Sequence, residues 1–439
     1  MNYKKRRLDS NKGFQEQKNT NKISHSHKIC MNPEKFYSLP CELHYKILQN
    51  LSLSQTRTFM FSNKKNYSIL HKNYQFWRDK YLNEYEEEDQ SFDTVEEFKE
   101  KIKEKITNRL AVIRGDGEIK YDINSDQLDI THIITKGEYI FCSSDDQRIK
   151  IYRNRVLESV LSGHFGGVWA FDVTNNFIVS GSTDKTIRIW ERSSGACLHV
   201  LKGHRSTIRC LKATESHIVS GGRDSFIKVW DFMGNLLHTL NAHSLSVRCI
   251  DTYQNLVVSG SYDGTVVVWD FIDGKKLYNL KYHLQRVYCV KIDKKYIISG
   301  GQDGNIFVSN HSGNLLHSLK GHRSIVAWLA INYENKREYL FSSGADGNVV
   351  KWDMHTGQKE YTIHEQAHIT GMKIYNGLMV VARNNGVNLY STKSGKLIRS
   401  LLDNALLVYD ITFVDNRIII GYKSANSAHL MILDYKITK

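Results

Sequence analysis

Proline is almost missing: the 439-residue chain has two, Pro33 and Pro40, both near its start. Turns beyond Pro40 must be made by Gly, Asn, Asp and Ser, which suits tight hairpins better than Pro-rich linkers. Cysteine is sparse and unpatterned. The seven residues include no C-x-x-C pair, so neither a disulfide framework nor a zinc site is indicated. Cys210, Cys249 and Cys289 fall at one repeated position and read as small buried hydrophobes. No apolar run approaches membrane-spanning length, and the N-terminal residues lack the apolar core of a secretion signal. The expectation is an intracellular, soluble protein of nucleus and cytoplasm with no membrane partner.

Charge is abundant but uneven. The net charge is +14 and apolar residues make up 41% of the chain, enough for a large core. Residues 1–32 carry eight Lys/Arg against Asp9 and Glu16, and residues 1–35 read as a disordered basic tail. Within it Lys4-Lys5-Arg6-Arg7 is either a nuclear localisation signal or a solvated basic end. Residues 83–100 hold nine acids against Lys99. The remainder is strongly basic, which favours phosphoprotein, acidic peptide or nucleic acid as partner.

Residues 36–82 change character. Leu43, Ile47 and Leu51 recur at i, i+4 and i+8 as one helical stripe. Pro40 sits in the first turn, where its missing N–H matters little. The segment is too short for a large core, leaving apolar surface for a partner. Residues 83–110 continue as a helical linker, with Phe98, Ile102 and Ile106 on one face. From 111 to 439 a unit of roughly 40 residues recurs, the period of WD repeats. Units end at Tyr152, Trp190, Trp230, Trp269, Ser309, Trp352, Tyr390 and Tyr435, each a set of short β-branched strands around a Gly- and Asp-containing turn. Eight units predict a closed eight-bladed propeller. If each unit gives the outer strand of one blade and the inner three of the next, the last blade lacks its outer strand. Arg109 to Arg114 (RLAVIR) is the candidate to supply it.

One histidine, one serine and one aspartate recur with the units. His164, Ser180, Asp184 and Trp190 form one set; His204, Ser220, Asp224 and Trp230 a second; His243, Ser259, Asp263 and Trp269 a third. His283, Ser299 and Asp303 end instead on Ser309, and His322, Ser342, Asp346 and Trp352 complete five. A buried indole N–H needs an acceptor, and Ser can relay to His and on to Asp. So many His, Ser and Asp residues would suit a hydrolase, but one active site does not recur five times. Structural tetrads are expected, with no metal, no cofactor and no catalytic role for the chain.

Positions that vary between units can specify a partner. One opens the inner strand after the tetrad His: Trp169, Arg209, Arg248, Tyr288 and Trp328. The other precedes the tetrad Asp: Thr183, Arg223, Tyr262 and Gln302. Arg209, Arg223 and Arg248 come from neighbouring blades and should converge on one spot. Such a cluster is either built for an anion or balanced by carboxylates in surface ion pairs; a phosphate accepts forked hydrogen bonds from several Arg at once.

Two resemblances follow from these residues. Leu39-Pro40, Leu43, Ile47-Leu48 and Leu51, closing on Phe76-Trp77-Arg78, resemble an F-box, although Met60 to Lys64 depart from its pattern. The order GGVW, TIRC, GRD, SVRC, SYD, RVYC resembles the F-box/WD receptors of the archipelago type. The resemblance implies an all-β eight-bladed propeller preceded by a small all-α F-box (36–82) and linker helices. It implies that Leu39, Pro40, Leu43, Ile47, Leu48 and Leu51 bind the Skp adaptor and through it a cullin ubiquitin ligase. It further implies that Arg209, Arg223 and Arg248 hold a phosphothreonine-proline segment with apolar residues before it, with Tyr262, Trp169, Tyr288 and Thr183 around it. A homodimer is left open. Two other classes stay in view: a WD-repeat scaffold without ligase role, and a nucleic-acid-binding propeller, the latter disfavoured.

Overall fold

The computed structural model describes residues 95–126, 129–241, 243–334, 337–425 and 427–435. The expected basic tail with Lys4 to Arg7, and the segment that resembles an F-box with its six expected adaptor positions, lie outside the described residues. Among the described residues one helix, α1 (Val95–Arg114), precedes eight four-stranded antiparallel sheets. Blade 1 runs β2 (Ile130–Lys136), β3 (Tyr139–Ser144), β4 (Ile149–Arg153) and β5 (Val156–Leu161) from channel to rim. Blades 2 to 7 repeat the order. Their inner strands are β6 (Val168–Val173), β10 (Ile208–Ala213), β14 (Val247–Tyr253), β18 (Val287–Ile292), β22 (Val326–Glu334) and β26 (Ile369–Tyr375). Blade 8 has β30 (Leu407–Val414), β31 (Arg417–Ser424) and β32 (Ser427–Tyr435), with β1 (Glu118–Asp126) as its outer strand. β30 lies beside β2, which closes the ring.

The closing strand is therefore supplied from the N-terminal side, but not by Arg109 to Arg114. Those residues are the last turns of α1. Ala111 and Val112 are buried against Leu378 of blade 7 and Tyr435 of blade 8, which is why the stretch is apolar. Gly115 stops the helix at φ +75°, its N–H donating to the Ala111 carbonyl at 2.8 Å. After Gly117, exposure alternates from Glu118 to Ile123 as a half-buried edge strand requires. The helix also ends four residues beyond the expected 110. The a–b turn of blade 7 receives it, with Asn376 Nδ2 donating to the Lys105 carbonyl at 3.0 Å.

The core lies in wedges between neighbouring blades. Trp190 of blade 2, for example, packs with Phe141, Ile151 and Leu161 of blade 1. Facing the channel, each inner strand is a sheet edge with unpaired N–H groups. Carboxylates of the preceding blade satisfy three of them: Asp172 accepts from Ala213 N at 3.0 Å, Asp251 from Ile292 N at 3.2 Å, and Asp410 from Ile133 N at 2.8 Å. The last spans the seam between blades 8 and 1, where buried Asp410 also bonds His132 Nδ1 at 2.6 Å. The latch strand is held in turn by Arg399 on Glu118 at 2.6 Å and by Arg155 over the Tyr121 ring at 4.2 Å.

Candidate functional site: an arginine-lined propeller mouth

All five expected histidine–serine–aspartate sets are assembled. In blade 2, His164 Nδ1 meets Asp184 at 2.8 Å, His164 Nε2 meets Ser180 Oγ at 2.8 Å, and Trp190 Nε1 donates to the same Oγ at 2.8 Å. Blades 3, 4 and 6 repeat this, with Trp230, Trp269 and Trp352 donating to Ser220, Ser259 and Ser342 at 3.1, 3.1 and 2.9 Å. In blade 5 Ser309 replaces the indole, and Phe307 packs its ring edge-on to His283 at 4.7 Å. Blade 7 uses a different set: Glu365, four residues before the inner strand as the tetrad histidines are, accepts from Tyr390 Oη at 2.6 Å and Asn388 Nδ2 at 3.0 Å. Burial works to raise the tetrad aspartates' pKa values, but the hydrogen bonds from histidine and backbone N–H prevail, and all five lie below the usual carboxylate range. Cys210, Cys249 and Cys289 are free thiols whose pKa values burial raises, that of Cys249 to about 12. Among the described residues no group of His, Cys, Asp and Glu could hold a metal ion.

The tetrads fix the loops of one face, and on that face each inner strand begins with a bulge. Val168 pairs with Ser182 but Ala170 with Gly181, so Trp169 stands out of the ladder. The same slip extrudes Arg209, Arg248 and Tyr288. A bulge re-aims its extra side chain, and here it does so toward the mouth. Blade 6 corrects one expectation. Val326 pairs with Gly344 and Trp328 with Ser343, so Ala327 is the bulged residue and Trp328 packs against the core between blades 6 and 7. The second set sits where expected: Thr183, Arg223, Tyr262 and Gln302 are pinned by N–H bonds to the carbonyls of Gly167, Thr207, Ser246 and Arg286.

Arg209 lies within electrostatic reach of Arg223 and Arg248. Burial lowers the pKa of Arg209, and the charges of Arg223 and Arg248 act in the same sense. Among the described residues no carboxylate forms an ion pair with any of the three, and the buried Nε of Arg209 has no hydrogen-bond partner. The Arg209 guanidinium lies 4.7 Å over the Trp169 ring, whose Nε1 donates to Asp145 at 2.6 Å. The glycines before Trp169 allow this approach. A Cβ on Gly167 would stand 2.3 Å from Asp145 Oδ1, and one on Gly166 2.3 Å from Thr183 Oγ1. On the other side Tyr262 and Tyr288 pair at 5.5 Å, and Arg286 lies 4.9 Å over Tyr262. Asp145 and Arg286 were not anticipated. Asp145 precedes Asp146, which stands in blade 1 where the other blades carry the tetrad aspartate, so the positional rule already pointed to it.

The sequence pattern of the family "WD domain, G-beta repeat" matches residues 155–191, 195–231, 234–270, 274–308 and 313–353. This chain carries WD repeats. The WD-repeat chain is 40% identical over 74 residues to Cell division control protein 4 of Saccharomyces cerevisiae, covering 16% of this chain and 10% of that protein. It is 34% identical over 84 residues to WD repeat-containing protein pop2 of Schizosaccharomyces pombe, covering 19% and 12%. The Eukaryotic translation initiation factor 3 subunit I of Pyricularia oryzae is 37% identical over 67 residues, 14% of this chain and 20% of that protein. The chain thus spans about a tenth of the length of the first two relatives. Among solved structures, the computationally designed Ika8 protein superposes with a TM-score of 0.65 at 29% identity, over 71% of this chain and 97% of that one.

Proposed function

We propose that the mouth of this WD-repeat propeller binds phosphorylated segments of other proteins, and that the chain is a non-catalytic substrate receptor of an SCF-type ubiquitin ligase. The observation that carries the first part is the cluster of Arg209, Arg223 and Arg248, which has no carboxylate ion pair among the described residues. Its mutual repulsion is relieved by a dianion with several acceptor oxygens, as a phosphate supplies. Trp169, Thr183, Tyr262 and Tyr288 flank the phosphate position. The ligase part rests on Leu39, Pro40, Leu43, Ile47, Leu48 and Leu51 as the Skp contact, and the likeness to Cell division control protein 4 supports it.

Titration of phosphorylated and unphosphorylated Thr-Pro peptides tests the mouth. Each of Arg209→Ala, Arg223→Ala and Arg248→Ala is expected to weaken phosphopeptide binding about ten-fold or more, since charge-assisted hydrogen bonds contribute roughly 1.5–3 kcal/mol each. Equal affinity for both peptides refutes it. Co-purification of Skp, lost on Leu43→Lys/Ile47→Lys, tests the adaptor. The translation-factor relative favours a second reading, a WD-repeat scaffold without ligase role, in which no adaptor co-purifies. Binding that falls steeply with salt and depends on many basic residues would instead indicate nucleic acid.

A further inference from the structure

A cleft of about 310 Å3 opens on the face opposite the mouth, where blade 6 meets blade 5. Lys295 lines it from the a–b turn of blade 5, Arg337 and Glu338 from the start of the second strand of blade 6, and Asp353, His355 and Thr356 from the turn before that blade's outer strand. Its carboxylates are already partnered. Glu338 takes an ion pair from Lys295 and a hydrogen bond from Tyr296 Oη at 2.7 Å. Asp353 accepts from the N–H groups of His355 at 2.8 Å and Thr356 at 2.9 Å. Behind Lys295, Asp293 accepts from Lys295 N at 2.8 Å, Tyr296 N at 2.7 Å and Tyr333 Oη at 2.7 Å. The donors are not all used. Arg337 is exposed and within electrostatic reach of Asp353, yet among the described residues it forms no ion pair. Lys294 stands exposed 4.8 Å over the Tyr333 ring, also without an ion pair among the described residues. The capacity left over is cationic, so the complement of the cleft is a group of carboxylates.

The same chain carries such a group. Glu84, Glu86, Glu87, Glu88 and Asp89 stand just before α1 begins at Val95. The helix lies on the face of the cleft, because the a–b turn of blade 7, the neighbour of blade 6, receives it through Asn376 and the Lys105 carbonyl at 3.0 Å. Val95 is roughly 15 Å from Lys105 along the helix. Glu86 to Asp89 can reach a further 20–30 Å or so as extended chain, whereas packed sheets are only about 10 Å apart. A tether this short gives an effective concentration on the order of millimolar, so ion pairs that are weak one by one suffice. We propose that the acidic segment Glu84 to Asp89 docks in this cleft, its carboxylates on Arg337 and Lys294, as a strap that ties the N-terminal end of α1 to blades 5 and 6. The strap is independent of what the mouth binds.

Zero-length carbodiimide cross-linking of the full chain, read by peptide mass mapping, tests the strap. Lys294 or Lys295 should become linked to a carboxylate of Glu84 to Asp89. An equal mixture of light and heavy-isotope chains should show the link within one chain. Arg337→Glu should cut its yield about five-fold or more, with the melting temperature unchanged because Arg337 is exposed and unpaired. Salt at 1 M, where the screening length falls to about 3 Å, should do the same to the wild type. Lys393→Glu, an exposed cation on the same face in blade 7, should leave the yield as it is. No link in the wild type, a link formed only between chains, or an equal loss with Arg337→Glu and Lys393→Glu overturns the inference.

Discussion

Asp145 gives the mouth a test with opposite signs. Its carboxylate holds the Trp169 indole at 2.6 Å, and the Trp169 ring carries the Arg209 guanidinium at 4.7 Å. It is thus a negative charge near the proposed phosphate site and also the anchor of the Trp169 ring beneath Arg209. Asp145→Asn keeps an acceptor for the indole and removes the charge. With the carboxylate roughly 10 Å from a bound dianion, the repulsion removed is about 0.8 kcal/mol in water and about 0.2 kcal/mol once salt screens it. Phosphopeptide affinity should therefore rise about 1.5- to 4-fold. Asp145→Ala removes the acceptor as well. The freed indole no longer fixes the platform under Arg209, and a cation–π contact contributes roughly 0.5–2 kcal/mol. That loss exceeds the electrostatic gain, so affinity should fall. Calorimetric titration at low and physiological salt reads both effects. A fall with Asp145→Asn as large as with Asp145→Ala would refute the reasoning, as would a gain with both.

Three further expectations concern the scaffold. The tetrad aspartates lie below their unfolded pKa values, so their stabilisation is complete above about pH 5 and is lost as pH falls toward the folded values. Burial holds His283 below its usual value, which weakens the fold in the same direction from about pH 6.5 downward; a melting temperature that stays level to about pH 3 would contradict both. Lys351 is buried on Glu334 at 2.9 Å and Glu360 at 3.3 Å, where other blades carry Ile189, Val229 and Val268. Glu334→Gln alone should destabilise by roughly 1–3 kcal/mol, whereas Lys351→Met with Glu334→Gln should be neutral or stabilising; urea melts giving the reverse order would sink this. Ser225 holds the left-handed turn at φ 69° that Gly264 and Gly304 hold in blades 4 and 5. Ser225→Gly should raise stability by about 0.5–1 kcal/mol, and a lowered melting temperature would count against it.

The repeating parts of the fold are legible because one backbone solution recurs and each residue type in it answers one physical demand. The indole of Trp190 needs Ser180, and Ser180 needs His164. The mouth was legible for the same reason: positions that vary within a fixed frame stand out. Trp328 shows where this fails. Its placement depends on which residue of β22 is bulged, and Ala327 carries no signal of that. The apolar run at Arg109 to Arg114 suited a strand as well as a helix end, and only Gly115 and the alternation beyond it decide between them. Blade 7 replaced its histidine by Glu365, so its polar set was invisible to a search for tetrads.

The latch strand also sets an order of events during synthesis. β1 ends at Asp126 and its only ladder partner, β32, begins at Ser427. About 300 residues separate them, so at 5–20 residues per second β1 leaves the ribosome roughly 15–60 s before its partner exists. Until then it is an unpaired edge, and blade 8 is absent from the surface that buries Ala111 and Val112. A nascent chain that stalls before β32 therefore carries the blades of all three arginines but cannot close the ring.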